Sequence, residues 1–244
     1  MIARGVLYIC WGDRVETYLQ RSIASLKTHH PELPVHVERL PPNSTFLDKA
    51  RMLEISPFEE TLFLDVDTVV LGNLDFGFQK ARKAGVACCI NECPWARRYA
   101  SLTDSGDLIE YNTGVMFFTR MAAPLFSAWI DACQTPENSS IWHLAQGEVA
   151  RMPLADQGPF AKAVEESGYS LFVLPLNWNY RPLWQRDFFG PIRIWHDYGD
   201  VPQLVTDANA YYESTSSIIQ CVRYEHEPSS DRHPNAKDLP LLRT

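Results

Sequence analysis

The sequence predicts an α/β domain on an open, mixed, mostly parallel sheet flanked by helices. Two observations carry that expectation. Short apolar runs alternate with helical spacing three times before residue 70, the pattern of strand–helix–strand units. Further apolar runs follow at intervals to residue 195, without a composition break that would split the chain. The chain of 244 residues is thus read as one domain over 1–224 and a polar, Pro-containing tail over 225–244.

Gly5–Cys10 opens as a buried strand. Asp13 suits a helix N-cap, with Glu16 as its capping-box partner, and Val15, Tyr18, Leu19, Ile23 and Leu26 follow at helical spacing until His30-Pro31. Val35–Leu40 reads as a second strand, Leu47–Ile55 as a helix closed by Ser56-Pro57, and Thr61–Leu64 as a third strand. Strands are expected near Gly85–Ile90, Val115–Phe118, Leu171–Leu174 and Ile192–Trp195, and helices over Pro124–Cys133 and after Asp156.

Hydrophobic residues make up 45% and aromatics 12%, enough for a sizeable core, so a disordered chain is excluded. No apolar run approaches the ~18 residues of a membrane helix. Met1–Gly5 shows no secretory pattern, so the expected location is cytoplasmic. The two Asn-x-Ser/Thr triplets, at Asn43 and Asn138, are then read as chance. With 22 basic against 30 acidic residues, a net charge of −8, nucleic acid is a poor partner. An anionic ligand needs local neutralisation, by a metal ion or a few basic groups. The cysteines, Cys10, Cys88, Cys89, Cys93, Cys133 and Cys221, form no C-x-x-C pair; a zinc or redox site is the functional alternative, and Ala87-Cys88-Cys89-Ile90 reads better as a buried strand whose thiols are small hydrophobes.

The chemistry concentrates at Leu62-Phe63-Leu64-Asp65-Val66-Asp67-Thr68. Two carboxylates directly follow an apolar strand, where open α/β sheets bind ligands. Buried and unpaired they would be costly, so they face solvent, a cation or a hydrogen-bonding network. A turn stabilised by Asp side chains is the plain alternative. Carboxylate oxygens suit Mg²⁺ or Mn²⁺, and a diphosphate sharing the ion would solve the charge problem of an acidic protein.

This strand-Asp-x-Asp, followed by Thr68–Leu74, resembles the metal motif of Rossmann-like GT-A fold glycosyltransferases, with family 8, the glycogenin-like and galactosyltransferase-type retaining enzymes, as the nearest likeness. Other blocks follow in the order of that family over residues 5–200. They are Tyr111-Asn112-Thr113-Gly114-Val115-Met116, Ala155-Asp156-Gln157-Gly158, Leu174-Pro175-Leu176-Asn177-Trp178-Asn179 and Ile194-Trp195-His196-Asp197-Tyr198-Gly199.

The resemblance implies a metal-dependent transfer of a sugar from a nucleotide diphosphate sugar, UDP-linked, to an unknown hydroxyl or carbohydrate acceptor, with retention of configuration. It implies Asp65, Asp67 and His196 as ligands of Mn²⁺ or Mg²⁺, and the imidazole favours Mn²⁺. Lys49, Asn112, Gly114 and Gly199 are implied to contact the donor, and Asp156 and Gln157 to lie beside the reacting carbon. A same-face attack assisted by the leaving phosphate is the implied mechanism. Each residue also has a plain reading: Lys49 as a surface lysine, Asn112 and Gly114 as a turn, Asp156 as a helix N-cap, His196 as a structural histidine.

The chain departs from the family twice. Asp200-Val201-Pro202-Gln203 holds no cation where the family carries a Lys, leaving Lys49, Arg181 or Arg193 to serve. Cys10-Trp11-Gly12 stands where small hydroxyl residues are common, and Trp11 is read as stacking on a base or as packing. Trp178, Asn179, Tyr180, Arg181, Trp184 and Gln185 suit an acceptor site, a core or a subunit interface of a homo-oligomer alike. Two other functions compete: a non-catalytic nucleotide- or glycan-binding protein on the same fold, and a haloacid-dehalogenase-type phosphatase using Asp65 and Asp67.

Overall fold

Side chains of a strand point alternately to its two faces, and β1 (Ile2–Cys10) uses both. Val6, Tyr8 and Cys10 enter one core, Leu7 and Ile9 the other. A strand apolar on both faces belongs inside a sheet covered on both sides. The computed structural model describes residues 2–12, 15–92, 109–135, 139–143, 149–214, 221–223 and 241–242.

After β1 come α1 (Glu16–His29), β2 (Val35–Arg39), a 3₁₀ helix (Phe46–Arg51) running into α2 (Met52–Ile55), and β3 (Phe58–Leu64). Next are β4 (Thr68–Val70), α3 (Asp75–Ala84), β5 (Val86–Ile90), β6 (Tyr111–Thr119), α4 (Ala123–Ala132), β7 (Ser139–His143) and β8 (Val149–Pro153). Then follow α5 (Gln157–Ser167), β9 (Phe172–Leu174), β10 (Asp187–Phe189), β11 (Ile194–His196), α6 (Gln203–Ser214), β12 (Cys221–Arg223) and β13 (Leu241–Leu242).

The main sheet has the order β2-β1-β3-β6-β5-β9. Its pairs are parallel except around β6, which runs antiparallel to both β3 and β5. The expectation of a mixed, mostly parallel sheet flanked by helices holds. One face packs on α1 and α3 through Leu19, Leu26, Leu74 and Phe78. The other packs on α2, α4 and α5 through Met52, Phe126, Trp129 and Phe160. A smaller cluster of Val69, Tyr180, Ile192, Trp195 and Val205 lies beneath the β4–β11 ribbon and α6. Among the described residues no helix is long and apolar enough to cross a membrane.

Several elements differ from the sequence pattern. The expected helix over Leu47–Ile55 begins as a 3₁₀ turn, because Thr45 and Asp48 form a reciprocal capping box there. The strand expected at Val115–Phe118 extends back to Tyr111. Asn112, Thr113 and Gly114, which read as a turn, lie inside that strand. The strand expected at Ile192–Trp195 is β11, whereas α3, α6, β4 and the β7–β8 ribbon carried no recognised signal. Asp13, Cys93, Asn138 and residues 225–240 fall outside the described residues, as does the Cys221 side chain. Cys10, Cys88, Cys89 and Cys133 are buried free thiols, and burial pushes the Cys133 thiol up to about 12. That is small-hydrophobe behaviour.

Phe117 sits at the centre of the α3-side core, fully buried, edge-on to Phe78 at 5.1 Å and to Trp178 at 5.8 Å. Phe117→Ala is expected to cost about 3–5 kcal/mol, read as a lower midpoint in urea unfolding with an unchanged slope.

Candidate active site

Burial of β3 drives Leu62, Phe63 and Leu64 into the sheet, so Asp65 is the first residue free to leave it. It stays attached to β6: the Asp65 N–H donates to the Gly114 carbonyl at 2.8 Å. The chain turns at once, with Thr68 N–H and Oγ1 both donating to the Asp65 carbonyl, at 3.2 and 2.7 Å. That tight turn sends β4 out antiparallel to β11, with Thr68 opposite His196. Asp67 therefore lies beside the end of β11, and the Asp197 N–H donates to its carbonyl at 3.0 Å.

The result is a cluster. One ligand atom each of Asp65, Asp67 and His196 lie within 4.8 Å of one another. His196 Nε2 is 3.3 Å from Asp67 Oδ1 and 3.9 Å from Asp65 Oδ2. Its other nitrogen, Nδ1, is 2.7 Å from Asn179 Oδ1. Asn179 Nδ2 donates to Asn112 Oδ1 at 2.8 Å, and the Gly114 N–H donates to that same oxygen at 2.9 Å. Since the Asn179 oxygen can only accept, Nδ1 must carry a proton. Nε2 then faces the two carboxylates, which favour its protonated form; deprotonated, it would present its lone pair to an ion held between them. A histidine oriented in this way has the arrangement of a metal ligand. The donor set, two carboxylates and one imidazole, fits Mn²⁺ or Mg²⁺, and the nitrogen suits Mn²⁺ better.

Gly114 has a steric reason to be glycine. A Cβ there would lie 2.5 Å from both Asp65 Oδ2 and His196 Cε1, so any side chain would part the two. Lys49, only 3% exposed, is no surface lysine. Its Nζ stands 3.0 Å from Asp65 Oδ1 and 3.4 Å from Asp156 Oδ2. The capping box at Thr45 sets the turn from which it enters. Asp156 precedes α5, yet its side chain makes no cap bond. Oδ2 instead accepts from Thr113 Oγ1 at 2.6 Å, and its carbonyl accepts from Trp129 Nε1 at 3.1 Å. The Gln157 Oε1 atom is buried without a hydrogen-bond partner among the described residues. The Gly199 N–H is tied to Asp197 Oδ2 at 2.8 Å.

The electrostatics follow from this crowding. Burial pushes the Asp65 carboxyl up; Lys49 opposes that, and neighbouring Asp67 adds to it. Burial also raises Asp67, but the charge and hydrogen bond of His196 prevail and hold it below the carboxylate range. Burial lowers His196, and the two carboxylates, Asp67 first, overcome this and raise it. Burial opposes the charge on Lys49, while Asp156 and Asp65 more than restore it.

Of the cations named in place of the missing lysine, Lys49 lies in the site and the two arginines are already paired with other carboxylates. Arg181 Nη1 donates to Asn91 Oδ1 at 2.7 Å and pairs with Glu92 at 3.1 Å. Arg193 Nη1 pairs with Glu213 at 3.6 Å. Trp11 packs edge-on against Phe46 at 5.4 Å. Sequence reasoning gave Asn179 no part in orienting His196 and Thr113 no bond to Asp156. Asn179 was visible in its block, but nothing in a sequence says that its oxygen meets an imidazole.

Two solved structures share this architecture. Mouse xyloside xylosyltransferase 1 matches over 82% of this chain and 100% of its own, at 15% identity and a TM-score of 0.55. Glycosyltransferase GlyE of Streptococcus pneumoniae TIGR4 matches over 83% of this chain and 55% of its own, at 13% identity and a TM-score of 0.51. No family model and no curated protein matches the chain. The fold is thus the GT-A fold of glycosyltransferases.

The Asp67–His196 pair makes metal-free stability depend on pH in a defined window. Asp67 is depressed from its ordinary 3.8, so its contribution is present above that value and lost as pH falls through the depressed one. His196 is raised from its ordinary 6.5, so its contribution is full below that value and lost as pH rises through the raised one. In a chelator, the stability advantage of wild type over His196→Gln is expected to peak between these limits and shrink as pH rises through the raised His196 value, read as the difference in Tm.

Proposed function

We propose that this chain is a metal-dependent glycosyltransferase that moves a sugar from a nucleotide diphosphate sugar, UDP-linked, to a carbohydrate or other hydroxyl acceptor with retention of configuration. The observation that supports it most is the Asp65–Asp67–His196 cluster, with an imidazole turned toward the carboxylates by Asn179, on a GT-A fold. The two structural neighbours, a xylosyltransferase and a glycosyltransferase, agree with this reading. The catalytic unit is taken as residues 1–224, and the location as cytoplasmic.

Asp65, Asp67 and His196 would hold Mn²⁺ or Mg²⁺, which when bound offsets the negative charge of the departing diphosphate. The other residues act by position. Lys49 shares its charge between Asp65 and Asp156 and so keeps two like charges at neighbouring places. Asn112 uses its oxygen inside the protein, leaving its amide N–H groups for a sugar hydroxyl. Gln157 offers a buried acceptor, Oε1. Asp156 is tied through Oδ2 to Thr113 and Lys49, which suits a fixed acceptor for sugar hydroxyls better than a covalent nucleophile. Attack on the same face as the departing diphosphate is consistent with that.

A non-catalytic binder on the same fold is the second reading, favoured by the engagement of Arg181 and Arg193 in other pairs. It predicts metal-dependent nucleotide binding without release of UDP from any UDP-sugar. The GT-A fold leaves the phosphatase alternative without its scaffold.

Calorimetry with UDP, GDP and ADP, with and without Mn²⁺, tests the proposal. UDP is expected to bind only with Mn²⁺, and Asp67→Ala to abolish that binding. Asn179→Ala is expected to weaken Mn²⁺-dependent UDP binding about 10–100-fold, the usual cost of losing a residue that orients a ligand. No nucleotide binding in the presence of Mn²⁺ would sink the transferase reading.

A further inference from the structure

The loop that follows His196 is held from its far side by a residue of α1. Arg21 Nη1 donates to the carbonyls of Tyr198 and Gly199, both at 2.9 Å, and Nη2 donates to the Asp197 carbonyl at 2.7 Å. Asp200 stands 3.8 Å away. The guanidinium lies 5.6 Å from the centre of the Tyr18 ring, and Tyr18 meets Tyr198 edge-on at 5.0 Å. Three successive backbone carbonyls thus converge on one planar fork, a geometry that a guanidinium matches and an ammonium does not.

The same loop is tied on its near side to the carboxylate cluster. The Asp197 N–H donates to the Asp67 carbonyl at 3.0 Å, and the His196 N–H to the Tyr180 carbonyl at 2.9 Å. The peptide groups that flank Asp197 are therefore anchored at both ends: the N–H to Asp67, the C=O to Arg21. Asp67 lies in the turn between β3 and β4, outside both strands, and His196 is the last residue of β11. His196 is held by Tyr180 and by its register against Thr68, but the chain beyond it enters no further strand; there Asp67 and Arg21 hold the loop.

We propose that Arg21 is a positioning residue for the metal centre, acting through the Asp197–Gly199 loop on His196 and Asp67. This rests on the metal-binding reading of the cluster. Arg21 touches neither ion nor substrate; its three bonds set where the backbone of two ligands can lie.

A second cation on α1 provides the control. Lys27 Nζ donates to the carbonyls of Pro31 and Leu33, the same kind of bond to a loop with no tie to the cluster. Titrating Mn²⁺ alone into the full chain by calorimetry separates the roles. Arg21→Ala is expected to weaken Mn²⁺ binding about tenfold, and Arg21→Lys to recover part of that loss. Lys27→Ala is expected to lower Tm and leave Mn²⁺ affinity unchanged.

Wild-type affinity in a folded Arg21→Ala overturns the proposal. So does an equal loss in Lys27→Ala, because the effect would then be general destabilisation. If Arg21→Ala does not fold, Arg21→Lys decides, and affinity equal to wild type overturns it. A wild type that binds no Mn²⁺ removes the metal centre and this proposal with it. A wild type that binds Mn²⁺ but no UDP sinks only the transferase reading, and the Arg21 variants still decide this one.

Discussion

Three carboxylates, Asp65, Asp67 and Asp156, converge at the end of a buried strand, and their mutual repulsion is the constraint around which the site is built. Like charges in a poorly solvated place disfavour ionisation of one another. Lys49 stands between Asp65 and Asp156, and His196 beside Asp67. Each basic group is stabilised in its charged form by the carboxylates and weakens their repulsion in return. The opposite directions in which Asp65 and Asp67 are displaced express this division. At Asp67 the charge and hydrogen bond of His196 outweigh burial, while at Asp65 burial, with the repulsion of Asp67 and Asp156, outweighs Lys49. A bound divalent ion would act on the same imbalance, drawing both carboxylates toward the ionised form.

The sheet topology makes this convergence possible. An antiparallel β6 between β3 and β5 brings Asn112, Thr113 and Gly114 alongside the carboxyl end of β3. In a wholly parallel sheet that place would hold another strand end. Buried polar residues in the middle of a strand are costly unless satisfied. Here Asn112 accepts from Gly114 and Asn179, and Thr113 donates to Asp156. Each such bond also fixes a residue of the site. Polar satisfaction and site geometry are met by the same contacts, as expected of a network in a low-dielectric interior.

Positioning extends beyond the groups that would meet a ligand. The chain of contacts from Asn112 through Asn179 to His196 Nδ1 orients the imidazole from inside the fold. Arg21 restrains the adjoining loop from outside it. The two restraints are independent, since one acts on a side chain and the other on backbone carbonyls. Small residues matter at the crossing point: Gly114 leaves room for Asp65 and His196 to approach, which no longer side chain could do.

The sheet strands and the position of the Asp pair were legible because both are local. A buried strand writes itself as an apolar run, and a pair of carboxylates directly after it has nowhere to go but the strand end. The extra length of β6 was not legible. Asn-Thr-Gly carries turn propensity, and it is drawn into the strand by backbone pairing with β3 and β5 together with the side-chain bonds to Asn179 and Asp156, all from distant parts of the chain. Helix α3, with Gly77 in its first turn packed against Phe117 of β6, owes its formation to that packing more than to its own periodicity. Lys49 illustrates the limit most clearly. On sequence it is one lysine in a helical stretch; folded, it is buried between two carboxylates. The chain by itself determined its alternating core-forming segments and where its acidic residues end a strand, because hydrophobic period and covalent spacing are properties of neighbours. The tertiary structure alone decided which lone pair His196 presents and which carboxylate each cation meets. Those depend on hydrogen bonds between residues far apart in the chain, whose geometry exists only once the sheet has brought them together.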